Sequence, residues 1–389
     1  MNIKHVKSFG LIAYCVIVIL GCKSNTSVTE SQSTSTLFDW GLPAGVFAPR
    51  IPADNPMTNE KVELGRFLFY DTNLSANQVQ SCSSCHLQEA AFADHNPVGI
   101  GSTGEFNIKN PPSLTNTGYY TSYSWANPSL STLERFVILP ITGETPIELG
   151  VAQEHEEMVL GRFKNSPMYQ EMFKKAFPDV ANPFTLEYIV KAISAFNRTL
   201  NSFNSSYDKY LRGDSTAMND SAKRGMDLFM GEKAECFHCH EGVRFSDSTA
   251  DEKSFSVEQF FHNIGLYNVD GKGSYTFGNQ GLYEITMKNV DKGKFKAPTL
   301  RNVELTYPYM HDGSMATLEE VIELHSNGGR NITSGEHTGD GRQSPYLSDL
   351  ISAKNFTQQE KEDLVAFLKS LTDHEFVTNP KLSNPFVKK

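Results

Sequence analysis

One pentapeptide occurs twice in this chain, as Cys82-Ser83-Ser84-Cys85-His86 and as Cys236-Phe237-His238-Cys239-His240. Cys-x-x-Cys-His is the attachment motif of c-type haem: both thiols add to the porphyrin vinyl groups, and the adjoining histidine becomes the proximal iron ligand. A zinc ribbon also uses paired Cys-x-x-Cys, but zinc does not require a histidine directly after each pair. A thioredoxin-like redox pair would occur once, near a βαβ pattern that the sequence does not show. The chain is therefore expected to fold around two covalent haem c groups. Cys82, Cys85, Cys236 and Cys239 would attach them, and His86 and His240 would be the proximal ligands.

The remaining cysteines, Cys15 and Cys22, bear on export. Lys4, His5 and Lys7 precede an apolar stretch from Leu11 to Leu20 that is too short to span a bilayer and ends in Ile19-Leu20-Gly21-Cys22. Residues 1–21 thus read as a bacterial lipoprotein signal, with Cys22 lipidated; a plain secretory signal is the alternative. Residues 22–48 would form a flexible tether, since Lys23 to Thr36 is polar and rich in Ser and Thr. The expected location is the periplasm, anchored by lipid to the outer membrane, and this agrees with haem c attachment outside the cytoplasm. With 389 residues, 39% hydrophobic and 21% charged, the body is long enough for globular domains with real cores. A net charge of −10 without a Lys/Arg-rich run argues against a nucleic-acid partner and suits a basic protein donor.

The flanks of the two pentapeptides form an internal repeat. Leu64-Gly65-Arg66-Phe67-Leu68-Phe69 precedes the first and Lys223-Arg224-Gly225-Met226-Asp227-Leu228-Phe229 the second, each reading as a short helix whose glycine permits a close helix crossing. Ile189, Ile193, Phe196 and Leu200 form one helical stripe. Thr357-Gln358-Gln359-Glu360 is a capping box before Leu364, Phe367, Leu368 and Leu371 at helical spacing. The fold class is therefore mainly α, with two cytochrome c-like helical domains over residues 49–204 and 205–389, joined near 205–220.

Whether such a protein carries electrons or activates peroxide depends on the sixth coordination position of each iron. Here the sequence resembles the bacterial dihaem cytochrome c peroxidase and MauG family over about residues 50–375. The stretches that carry the resemblance include Ala91-Phe92-Ala93-Asp94, Asn110-Pro111-Pro112-Ser113-Leu114, Trp125 and Pro146-Ile147-Glu148-Leu149-Gly150. Leu300-Arg301-Asn302-Val303 and Pro308-Tyr309-Met310-His311-Asp312-Gly313 follow in the same order. The resemblance implies a peroxidatic N-terminal haem, with Glu148 as proton shuttle and Trp125 bridging to a C-terminal electron-transfer haem. It also implies an inter-haem calcium held by Asn110, Thr306 and Pro308. Aligned on Asn110, Ser102 falls where the peroxidase branch has a departing distal histidine, which points to a five-coordinate haem as in the MauG-like branch; His95 is the nearby alternative ligand. Phe136 falls where many relatives place a polar partner of the acid/base.

Family members use Met or Tyr as the distal ligand of the C-terminal haem. In this chain Thr317-Leu318-Glu319-Glu320 caps a helix that carries Leu318, Val321, Ile322 and His325 on one face. The spacing from His311 puts His325 at the ligand position, with Met310 in reserve. The implied activity is reduction of hydrogen peroxide to water with electrons from a small exported cytochrome c or cupredoxin. Two alternatives stay open: a MauG-like oxidase acting on a protein substrate through a high-valent dihaem state, and a non-enzymatic dihaem electron carrier. A homodimer is compatible with the resemblance.

Overall fold

The Thr58 hydroxyl accepts the Lys61 N–H on an extended backbone and so starts α1 (Asn59–Tyr70), which buries Leu64, Gly65, Leu68 and Phe69 along one face. The first half continues through α2 (Leu133–Thr142), α3 (Gln153–Lys164), α4 (Pro167–Ala176) and α5 (Leu186–Arg198). The second half holds α6 (Ser206–Leu211), α7 (Asp220–Phe229), α8 (Tyr283–Thr286), α9 (Leu318–Asn327), α10 (Gln358–Lys369) and α11 (His374–Thr378). Long loops join them, and among the described residues one small antiparallel ribbon pairs β1 (Asn331–Ile332) with β2 (Gly339–Asp340), Asn331 opposite Asp340. This computed structural model describes residues 38–387. The expected signal peptide, Cys15, Cys22 and the start of the tether lie outside the described residues. No helix among the described residues is long and apolar enough to cross a membrane.

The same crossing is built twice. In the first half α1 lies across α5, and a Cβ on Gly65 would come within 1.9 Å of the Ala192 carbonyl oxygen. In the second, α7 lies across α10, and a Cβ on Gly225 would come within 1.9 Å of the Asp363 carbonyl oxygen. Only glycine permits either approach. Aromatic rings fill the space beside each crossing edge to face: Phe69 meets Phe196 at 5.3 Å, and Tyr207 meets Phe367 at 5.7 Å. Ile189, Ile193, Phe196 and Leu200 are buried in the first core, and Leu364, Phe367, Leu368 and Leu371 in the second. Each such side chain contributes about 1.5–3 kcal/mol of transfer free energy. Both halves of the capping boxes at Thr357 and Thr317 are formed.

The halves exchange material at two places. After α10 the chain returns to the first core: Phe376 and Leu382 are buried there, Phe376 packs edge-on against Phe92, and the Tyr70 hydroxyl donates to the Leu382 carbonyl at 2.7 Å. The last residues thus serve the core of the other half, because their apolar side chains are covered there. Asn302, in the left-handed region at φ 62°, forms a buried node. Its amide donates to Thr115 Oγ1 and Ser202 Oγ, and its side-chain oxygen accepts the Asp373 N–H at 2.7 Å.

Candidate active site: two cavities and a shared wall

Each pentapeptide opens with a 3₁₀ turn, Cys82–Ser84 and Cys236–His238, and the histidine N–H then closes onto the first cysteine's carbonyl, at 3.1 Å for His86 and 3.0 Å for His240. The His86 ring places Nδ1 2.8 Å from the Phe92 carbonyl, and the His240 ring places Nδ1 3.1 Å from the Phe245 carbonyl. A carbonyl only accepts, so Nδ1 carries the proton and Nε2 is left with its lone pair, as iron ligation requires. To aim these carbonyls, Phe92 and Phe245 adopt φ of 58° and 53°, a conformation that bulky residues rarely take. The same strain at both sites marks it as part of the device. Burial lowers the pKa of both histidines, which keeps them neutral. None of the four cysteines is in a disulfide. Each pentapeptide faces a large, mainly apolar cavity, so two thiols, a neutral imidazole and a space to receive a porphyrin are present at both sites. The donor set fits haem c. In the second cavity the buried His311 Nε2 has no protein partner, as expected of a group placed to meet a bound molecule.

The first cavity contains Cys82, Cys85 and His86, and one of its walls is a face of α2: Leu133, Phe136, Val137 and Pro140, at helical spacing. Glu148 reaches the same cavity. Burial pushes its carboxyl pKa up, and the Asn107 amide draws it partly back. Phe136 lines the cavity as the sequence suggested, and the polar neighbour of Glu148 is Asn107, from a different segment. Asn107 stands on a small hairpin in which Gly101 N–H reaches the Glu105 carbonyl and Asn107 N–H the Gly99 carbonyl. No periodicity or motif signalled it. Ser102, on the same hairpin, does not line the cavity; its N–H donates to the Glu148 carbonyl at 2.8 Å, tying the hairpin to the segment that carries Glu148. His95 lines neither cavity and stacks on Tyr307 at 4.4 Å, exposed.

The second cavity contains Cys236, Cys239 and His240. The face of α9 expected from the sequence, Leu318, Val321, Ile322 and His325, lines it in full. Burial above all lowers the His325 pKa to about 4, so this imidazole is also neutral and able to ligate. Met310 lines the same cavity. His262, overlooked in the sequence, lies there too, with Nε2 2.5 Å from buried Asp247.

Asn110, Ser124, Trp125, Tyr120 and Lys296 line both cavities and so form a common wall. The Trp125 Nε1–H donates to the Asn110 carbonyl at 2.8 Å. The Asn110 amide donates to the Asn96 and Pro97 carbonyls; Thr306 and Pro308 line the second cavity with it.

Residues 59–216 match the family model for di-haem cytochrome c peroxidase. The chain is 32% identical to a cytochrome-c peroxidase, IdrP1, of Denitromonas iodatirespirans over 88% of this chain and 90% of that one. It is 30% identical to the methylamine utilization protein MauG of Methylorubrum extorquens over 95% and 94%. Among solved structures, a MauG-like protein associated with microbial copper homeostasis superposes with a TM-score of 0.88 at 49% identity, over 90% of this chain and all of that one.

Proposed function

Because this chain belongs to the di-haem cytochrome c peroxidase family and is a peroxidase-type oxidoreductase, we propose that it reduces hydrogen peroxide to water in its first cavity with electrons drawn through its second. The observation that carries this reading is the half-buried Glu148 with raised pKa, beside Asn107, in the cavity that also holds the His86 pentapeptide. Haem c would be held by Cys82, Cys85 and His86 in one cavity and by Cys236, Cys239 and His240 in the other, and would supply the redox chemistry.

The residues of the chain manage protons and position. Glu148, ionised, takes the proton from one peroxide oxygen and returns it to the departing oxygen, while the Asn107 amide lowers the carboxyl pKa against the effect of burial. Phe136, Val137 and Leu133 exclude water from the rest of the cavity. Two electrons and two further protons complete the conversion of one peroxide to two waters. His325, neutral and in the same cavity as His240, would be a further ligand for the iron held there, with Met310 in reserve. Trp125 lies in the common wall and conducts between the cavities. Asn110 Oδ1 and the Thr306 and Pro308 carbonyls are hard oxygen donors suited to Ca²⁺ there. The donor is a small exported cytochrome c or cupredoxin, and the setting is the periplasm behind a lipid anchor.

A second reading rests on Ser102 at the departing-histidine position and on the likeness to MauG and a MauG-like protein: oxidation of a protein substrate, in a copper-related setting. Steady-state peroxide turnover with reduced cytochrome c decides between them. Sustained turnover supports the peroxidase. Negligible turnover with a rapid optical response to peroxide would transfer the assignment to the oxidase.

A further inference from the structure

We infer that Lys296 is the electrostatic positioning residue of the wall between the two haem cavities, where one buried ammonium acts on both haems and anchors the loop that carries Trp125. The inference rests on the two-haem reading above. Lys296 is 5% exposed and lines both cavities. Its Nζ donates to the Ser122 carbonyl at 2.7 Å and stands 3.6 Å over the centre of the Tyr120 ring. Its backbone N–H donates to the Trp125 carbonyl at 2.8 Å. Tyr120 is fixed in turn by accepting the Thr299 N–H at 2.9 Å. One residue therefore grips the 120–125 loop at its start, its middle and its end.

Among the described residues no carboxylate forms an ion pair with Lys296, and burial alone lowers its pKa, to about 7. Burying an ammonium without a counter-ion is costly, and a lysine used only to hold a loop could be replaced by an apolar side chain at less expense. What the ammonium adds is a positive charge in a poorly screened region bordering both haem sites. Such a charge stabilises the reduced, more negative state of each haem and raises both reduction potentials.

The test is a spectroelectrochemical titration of the diferric holoprotein at pH 6, below the lowered pKa of Lys296, for wild type, Lys296→Met and Lys296→Arg. Haem content is first read by intact mass. Both potentials should move negative in Lys296→Met and stay near wild type in Lys296→Arg, which keeps the charge. Should Lys296→Met fail to fold, Lys296→Gln removes the charge while keeping a donor for the Ser122 carbonyl, and the same negative shift of both haems is expected. A shift confined to one haem would mean that the ammonium belongs to that haem's own pocket, and no shift would mean that it is structural; either result overturns the inference while leaving the two-haem reading intact. A wild-type mass with fewer than two covalent haems would overturn both.

Discussion

Glu148 and Asn107 come from segments about 40 residues apart and meet in one cavity, so the chemistry of the first site depends on their pairing. Glu148→Gln removes the proposed proton shuttle and should slow the reaction with peroxide by about 10²–10⁴-fold, read by stopped flow. The sign of the Asn107 effect follows from its role. Burial raises the Glu148 pKa and the Asn107 amide lowers it, so Asn107→Leu should move the acid limb of the peroxide rate to higher pH. An unmoved limb would remove Asn107 from the mechanism. In the second cavity, His325→Ala should convert a low-spin six-coordinate haem to high spin in the optical and EPR spectra; a spectrum that stayed low-spin would assign the ligand to Met310.

Helix crossings are where the repeat in the sequence acquires physical meaning. Replacing a helical glycine by alanine ordinarily stabilises by about 1 kcal/mol. At Gly65 and Gly225 the new methyl would collide with a carbonyl at 1.9 Å, so the helices must separate, and overpacking of this kind costs about 1–3 kcal/mol. Gly161, in α3, has nothing within 4 Å of its Cβ position and serves as the internal control. Denaturant unfolding of the holoprotein should show Gly65→Ala and Gly225→Ala destabilised and Gly161→Ala stabilised by about 0.5–1 kcal/mol. Equal effects at all three would show that the crossings are looser than the contacts imply.

Across the whole molecule, stability leans on buried ion pairs that the sequence does not advertise. Arg301 is 1% exposed and grips Asp208 through two hydrogen bonds of 2.8 and 2.9 Å; Arg198 grips Glu134 likewise at 2.8 Å. Burial alone would raise the Asp208 pKa, but Arg301 and Ser205 outweigh it and hold the carboxyl below the usual range. Its stabilisation is therefore present above the unfolded value of about 3.9 and lost as pH falls through the lower folded value. Asp208→Asn should cost about 3–5 kcal/mol at pH 7 by stranding Arg301, with a smaller deficit in acid unfolding below about pH 4. Much of this architecture was legible in advance. The pentapeptides, the repeated glycine helix, the capping boxes and the apolar face ending in His325 depend on short-range spacing, and local backbone geometry carries such patterns directly into structure. Tertiary structure alone decided the rest. Asn107 meets Glu148, Lys296 enters a wall shared by two cavities, Phe376 returns to the first core, and Arg301 finds Asp208. These contacts join residues far apart in the chain, and no periodicity encodes a pairing that exists only once the helices have packed.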